Sequence, residues 1–210
     1  MNIKVNFISK LSKAKTSNEV VFVQGKKIKN NILNPILKSI LDNQLFQDQL
    51  IIEKEYKNKS YIFINCQKIS MSSDYENIGS KLFDYLKKNK IENSHINISK
   101  TDINHIQLEK AIHGAKLKSY SFDIYKSNSK NNKILNLNVI GKQNTKSNIL
   151  RKKLDALLEG IFFTRNLVSE PGNILHPDEY TKRLIKLKKI GLKVSVYNEK
   201  KLKKLGCNAL

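Results

Sequence analysis

The stretch that decides the fold is KILNLNVIG, residues 133–141. Within this stretch Leu135, Leu137 and Val139 alternate with a second set of residues, namely Ile134, Asn136, Asn138 and Ile140. Because successive side chains of a strand point to opposite faces, this alternation predicts a β-strand with one apolar face. We expect Gly141 to end the strand.

A long helix is predicted directly after this strand, over residues 145–168. Apolar side chains recur there at helical intervals: Leu150, Leu154, Leu157, Leu158, Ile161 and Phe162. At 1.5 Å per residue the helix would be about 36 Å long, which favours a connection between two domains. Because Pro171 disfavours helical backbone in the residue before it, the helix is expected to end before Ser169.

Strands and helices are also predicted to alternate before residue 133. The predicted strands are Lys4–Ile8, Glu19–Gln24, Leu50–Glu53, Ser60–Asn65 and His95–Ile98. Three helices are predicted, which begin at Asn34-Pro35, at Ser73 and at Ile106. Ser73 and Glu76 have the spacing of a capping box, and the third helix is predicted to run to Leu117. This order predicts an α/β fold with a mixed or largely parallel sheet flanked by helices.

The last forty residues carry clear signals for the ends of helices. Pro177 suits the first residue of a helix that Gly191 would close, and Asn198 would cap a final short helix ended by Gly206. Between these helices Lys193–Tyr197 is predicted to be a strand. A β-strand and helix that begin a new sheet at this point lead us to expect a truncated second domain.

Composition excludes several classes of protein. The chain has 210 residues and a formal net charge of +21, but only three of its 39 basic residues are arginine. Nucleic-acid sites favour arginine, whose planar fork binds phosphate and guanine in a bidentate way, so we interpret most lysines as solvated surface groups.

Apolar runs of four residues are far too short to cross a membrane, and the first twenty residues lack a signal-peptide pattern, which predicts a cytoplasmic protein. Two cysteines, Cys66 and Cys207, indicate neither a disulfide framework nor a zinc site.

No catalytic motif emerges from residue spacing. The glycines are never closer than 12 positions, so no glycine-rich phosphate loop of the known spacings exists. His105 and His113 would lie two turns apart on a helix, and we predict ordinary surface or capping roles for them; His176, before Pro177, is expected to cap a helix. Glu53 and Glu55 would share a strand face as solvated neighbours. The sequence therefore predicts no catalytic, cofactor-binding or metal-binding residue.

Three segments together resemble the M17 leucyl aminopeptidase family. The first is AIHGAKLKSYSFDIYKS, residues 111–127, and the second is Glu159-Gly160 followed by TRNLVSEPGNILHP, residues 164–177. The third is GLKVSVYNEKKLKKLG, residues 191–206. The resemblance is fairly specific over residues 111–210. It departs from the family at residues 64–68 (INCQK), where relatives carry a glycine-bearing turn.

The resemblance implies a domain organisation and a chemistry. It implies an N-terminal α/β, macro-like domain over residues 1–144, a connecting helix over residues 145–168, and the start of a catalytic domain over residues 169–210. In the family two divalent metal ions, manganese, zinc or magnesium, activate a water that attacks the peptide bond, and the enzymes assemble as hexamers. The family's metal-binding and catalytic motifs lie beyond the segment that resembles residues 191–206. We therefore expect the 210 residues to lack the active site and to be inactive alone.

Two alternatives from other classes stay open. Some relatives of the family act as DNA-binding regulators, a role that the positive charge would suit, with weak and sequence-independent contacts. A small-ligand module is the other alternative, because the family's N-terminal domain resembles macro domains.

Overall fold

A computed structural model describes residues 2–9, 18–24, 38–39, 49–67, 69, 71–126 and 133–207 of the chain. It divides the chain into two compact units, residues 1–160 and residues 161–210. The helix predicted after Asn34-Pro35 lies outside the described residues, apart from residues 38 and 39.

The first unit is built on a six-stranded mixed sheet. Its strands are β1 (Asn2–Ile8), β2 (Asn18–Val23), β3 (Ile51–Tyr56), β4 (Lys59–Asn65), β5 (Asn93–Asn97) and β6 (Ile134–Ile140). They lie in the order β1-β6-β5-β2-β4-β3, in which every neighbouring pair is parallel except β3 with β4. The α/β fold with a mixed sheet is therefore confirmed, and each of the six predicted strands forms within a few residues of its predicted bounds.

The antiparallel pair is a tight hairpin. Only Lys57 and Asn58 separate β3 from β4, and both have positive φ angles, 49° and 60°. Such a two-residue turn matches the right-handed twist of the strands that it joins. It places β3 at one edge of the sheet.

Two helices, α1 (Ser72–Lys88) and α2 (His105–Lys118), pack on one face of the sheet. The core between them and the sheet contains fully buried side chains from four strands and α1, among them Phe22, Ile62, Ile96, Leu137 and Leu86. This burial explains the alternation in residues 133–141, because Leu135, Leu137 and Val139 face this core. The hydrophobic effect on this face is the main stabilising term.

The two helices approach each other through glycine. A Cβ atom added at Gly79 would lie 1.7 Å from the Ala111 carbonyl oxygen, and one at Gly114 would lie 1.9 Å from the Glu76 carbonyl oxygen. Both obstacles are backbone atoms, which cannot rotate away. Glycine is therefore required at both positions for the helices to cross at this distance.

Helix α3 covers Thr145–Ser169, which confirms the predicted long helix. Asn144 precedes it, and the Asn144 side chain accepts a hydrogen bond from the Ser147 backbone at 2.7 Å. Arg151 joins the first part of α3 to the sheet unit: it forms an ion pair with the buried Glu109 on α2, and its guanidinium carbon lies 3.2 Å from the centre of the Phe7 ring. Lys116 on α2 adds a contact to Asp155 at 2.6 Å.

The second unit contains short helices. Helix α4 (Pro177–Ile185) begins at the predicted proline and continues as a short 3-10 helix, Lys186–Ile190, which Gly191 closes with a φ of 91°. Helix α5 (Glu199–Lys204) begins after Asn198, whose side chain accepts from the Lys201 backbone at 3.1 Å. These helix ends are confirmed.

Two local predictions are wrong. Lys193–Tyr197 is not a strand, because no strand of the described second unit is available to pair with it. Helix α1 begins one residue before Ser73, and Asp74 rather than Glu76 accepts from the capping residue, from the Met71 backbone at 2.8 Å. His176 is the N-cap residue of α4, as predicted, although its side chain makes no capping hydrogen bond.

Candidate functional site

A row of polar residues crosses the sheet on the face opposite α1 and α2. Register places one residue of each strand in this row: Asn6, Asn138, His95, Glu19, Tyr61 and Lys54. Since their sequence neighbours such as Val5 and Val20 pack towards the helices, these six residues share the other face. The middle of the row is buried, with Glu19 only 2% exposed and His95 only 7% exposed.

Glu19 is the charged centre of this row. The Lys100 ammonium lies 2.8 Å from one Glu19 carboxylate oxygen and donates to the other at 2.9 Å. His95 Nε2 lies 3.7 Å from the same carboxylate. Burial by itself would raise the pKa of Glu19, but the nearby His95 ring and the hydrogen bond and charge of Lys100 outweigh it and leave the pKa below its ordinary value. Glu19 is therefore an anion at neutral pH.

The segment after β5 brings Lys100 to this position. The Asn97 side chain accepts from the Ser99 backbone at 3.1 Å and so starts the single 3-10 turn, Ile98–Lys100. Thr101 then ties the segment to β2, since its hydroxyl accepts from the Phe22 backbone at 3.1 Å and donates to the Phe22 carbonyl at 3.2 Å. The partners of Lys100 and Thr101 are about eighty positions away in the sequence, so residue spacing could not reveal this site.

A pocket of about 540 Å³ lies beside Glu19 and His95. The carboxyl ends of three neighbouring parallel strands, β1, β5 and β6, contribute to it. The lining includes Ser9, directly after β1. It also includes residues 97–100, from the last residue of β5 onwards, and residues 140–142, from the last residue of β6 onwards. Lys59, at the start of β4, completes the described lining. The pocket therefore combines the carboxyl ends of β1, β5 and β6 with residues near the amino ends of β2 and β4, on the face of the sheet opposite α1 and α2.

The three histidines considered in the sequence analysis, His105, His113 and His176, lie in different parts of the fold and do not form a common site. His113 is only 2% exposed, and its Nδ1 atom lies 3.0 Å from a Glu76 carboxylate oxygen on α1. The prediction of a surface or capping role is therefore wrong for His113, because the close glycine crossing of α1 and α2 encloses position 113. His105 is the first residue of α2 and His176 precedes α4, in the other unit.

The paired carboxylates Glu53 and Glu55 and the thiol of Cys66 lie in surroundings that suit structural roles. Glu53 and Glu55 are both exposed on β3, as predicted, but Glu53 additionally accepts hydrogen bonds from Ser60 and Tyr85. Burial and the hydrogen bond to the Glu53 carboxylate raise the pKa of the Tyr85 hydroxyl.

Cys66 is fully buried, and burial raises the pKa of its thiol to about 12. The Cys66 thiol is therefore protonated and unreactive at neutral pH.

A metal centre does not fit the residues in hand. Within the described ranges, no three or more His, Cys, Asp or Glu side chains come together in a way that could hold a metal ion. The Glu19 carboxylate is already neutralised by Lys100 and is not free to bind a cation. The divalent ions implied by the family resemblance therefore have no site among the described residues.

None of the described helices is long and apolar enough to cross a lipid bilayer. The longest, α3, carries charged residues such as Arg151, Lys152 and Asp155 along its length.

The comparisons with solved structures define the class of fold. The chain is similar to a mutant of tomato leucine aminopeptidase, with a TM-score of 0.70 and 15% identity, over 98% of this chain and 46% of that one. It is also similar to the bottromycin maturation enzyme BotP in complex with Mn, with a TM-score of 0.62 and 13% identity, over 90% of this chain and 40% of that one. The fold is thus that of a portion of leucine aminopeptidase.

The chain is also similar in sequence to curated proteins named as cytosol aminopeptidases. The chain is 40% identical over 114 residues to the "Probable cytosol aminopeptidase" of Phytoplasma mali, and 38% identical over 99 residues to that of Gluconobacter oxydans. The matches cover 52% and 46% of this chain but only 23% and 20% of those proteins. No family model matches. The resemblance to the M17 leucyl aminopeptidases is confirmed, and the matched part of the chain spans about a quarter or less of each of these relatives.

Proposed function

We propose that the chain is the N-terminal part of a leucyl-aminopeptidase-like metallo-exopeptidase, which removes N-terminal amino acids from peptides. The observation that carries the proposal is the 40% identity over 114 residues to a protein named as a cytosol aminopeptidase. The similarity in fold to tomato leucine aminopeptidase over 98% of the chain supports it.

Within such an enzyme the described residues act as scaffold. In this proposal residues 1–144 form the macro-like N-terminal domain, residues 145–168 connect it, and residues 169–210 begin the catalytic domain. The two divalent ions, manganese, zinc or magnesium, and the groups that bind them belong to the remainder of the enzyme. The bond between Arg151 and Glu109 and the contact of Arg151 with Phe7 support this role, because they hold the first half of α3 rigidly against the sheet.

The assembly and surroundings of the full-length enzyme are proposed on the family resemblance. We propose a homo-hexamer in the cytoplasm that acts on peptides. Contacts with nucleic acid would be non-specific and lost at moderate salt, because the basic residues are mostly lysines distributed over the whole chain.

A chimaera tests the proposal. The N-terminal part of the Phytoplasma mali relative is replaced by this chain, and hydrolysis of leucine p-nitroanilide is measured with manganese, with and without a chelator. We expect chelator-sensitive activity in the chimaera and none in the 210-residue chain alone. A folded but inactive chimaera would contradict the family role, and chelator-sensitive turnover by the chain alone would contradict the scaffold role.

A further inference from the structure

The pocket at the ends of β1, β5 and β6 has an excess of positive charge. Within the part of the chain that the structure describes, three lysines line it, Lys59, Lys100 and Lys142, against one carboxylate, Glu19. Since Lys100 is bound to Glu19, the other two lysines supply the excess. Among the residues that the structure describes, neither Lys59 nor Lys142 has an ion-pair partner.

We propose that this pocket binds a small phosphate-bearing anion, either inorganic phosphate or a phosphate monoester. Lys59 and Lys142 would neutralise the phosphate, since the lysine ammonium binds phosphate as a point charge. Ser9 and Ser99 place hydroxyl groups in the same lining.

The shape of the pocket agrees with this class of ligand. Its volume of about 540 Å³ lies within the range of small-molecule sites, roughly 300–1,000 Å³, and leaves room for an organic group beside the phosphate. Ile98 and Ile140 give part of the lining an apolar surface for such a group. Glu19 does not oppose the anion, because its charge is compensated by Lys100 inside the fold.

The glycine-rich phosphate loops that the sequence lacks bind phosphate through backbone N–H groups. Here the recognition would come instead from side chains at the ends of four strands, β1, β4, β5 and β6. The site is independent of the proposed peptidase function, since it lies within the first unit and involves no metal ion.

Binding is tested by titration of the full 210-residue chain at constant ionic strength, with sodium chloride as the reference. Inorganic phosphate and glycerol phosphate are titrated separately, by calorimetry and by amide chemical shifts. We expect saturable one-to-one binding of at least one of them, with shift changes grouped at Ser9, Ser99 and Gly141. The comparison of the two ligands identifies whether free phosphate or an ester is preferred.

Matched double variants separate this site from general attraction to a basic protein. We expect the variant Lys59→Met with Lys142→Met to lose at least about tenfold in affinity, because two charged contacts are removed. Lys81→Met with Lys87→Met removes the same charge from exposed positions of α1 outside the pocket and should leave affinity within about twofold. An equal loss in both variants, or no saturable binding of either ligand, would overturn the proposal.

Discussion

The two units of the chain carry similar helix signals but differ in burial. Residues 1–160 contain every fully buried apolar side chain that the structure describes, whereas no described apolar residue of 161–210 is buried. Both units have capped helices, for example α2 after Asn104 and α5 after Asn198. Local signals are therefore sufficient to place a helix end, but a stable unit also needs a partner for its apolar face.

The largest effect is expected where the core of the first unit is tightest. Gly114→Ala and Gly79→Ala should each lower the free energy of unfolding by about 3 kcal/mol or more, because the added methyl group meets backbone atoms of the other helix. Urea unfolding followed by circular dichroism measures the change.

Gly160→Ala is the matched control, because a Cβ atom there would meet nothing within 4 Å. Removing a helical glycine at such a position should stabilise the helix by about 0.5–1 kcal/mol. Equal destabilisation by all three substitutions would contradict the close crossing.

The next largest effect concerns the connection of α3 to the sheet unit. Arg151→Met leaves Glu109, which is 2% exposed, as a buried carboxylate without its cation, and should cost about 3 kcal/mol. Thermal unfolding compares it with Lys152→Met, an exposed neighbour on the same helix, which should change stability by less than about 0.5 kcal/mol. Similar losses in the two variants would show that Arg151 has no special role.

A smaller, pH-dependent effect is expected at Glu19. Because its pKa in the folded protein lies below the ordinary value of 4.5, ionised Glu19 stabilises the fold above pH 4.5, and that stabilisation is lost as the pH falls through the folded pKa. Lys100→Met should therefore cost about 1–3 kcal/mol at pH 7 and progressively less as the pH falls through the folded pKa of Glu19.

Urea unfolding across this pH range checks the expectation, with Lys100→Met repeated in a Glu19→Gln background. There the cost of losing Lys100 should be small and independent of pH. A cost that stays constant with pH in the presence of Glu19 would exclude the ion pair as its source.

The smallest effect is a difference in thiol reactivity between the two units. With a pKa of about 12, Cys66 has only about one thiolate in ten thousand at pH 8, and it is fully buried. The half-buried Cys207 should react with iodoacetamide in the native protein, while Cys66 reacts only in urea. Mass spectrometry of labelled peptides distinguishes them, and labelling of native Cys207→Ser would contradict the burial of Cys66.

The sequence predicts the first unit well because its strands have one apolar face and one polar face, which gives a clear alternation along the chain. Leu135, Leu137 and Val139 alternate with polar neighbours because one face packs on helices, and Pro177 and Asn198 act through contacts within four residues. The strand predicted at 193–197 fails because strand propensity has no effect without a neighbouring strand.

The candidate site, in contrast, depends on long-range register. Glu19, His95 and Lys100 meet only after β2 and β5 pair, and nothing in their spacing indicates that pairing. The burial of His113 likewise follows from the glycine crossing of two helices, which becomes visible only when both helices are placed.

Hydrogen exchange followed by mass spectrometry tests the difference between the units most directly. The account predicts that amides of β2, β4, α1 and α2 are protected to the level of global unfolding, because they surround the buried core. Amides of α4 and α5 should exchange many orders of magnitude faster, since no described residue of these helices is buried. Protection of residues 177–204 as strong as that of α1 and α2 would contradict the account.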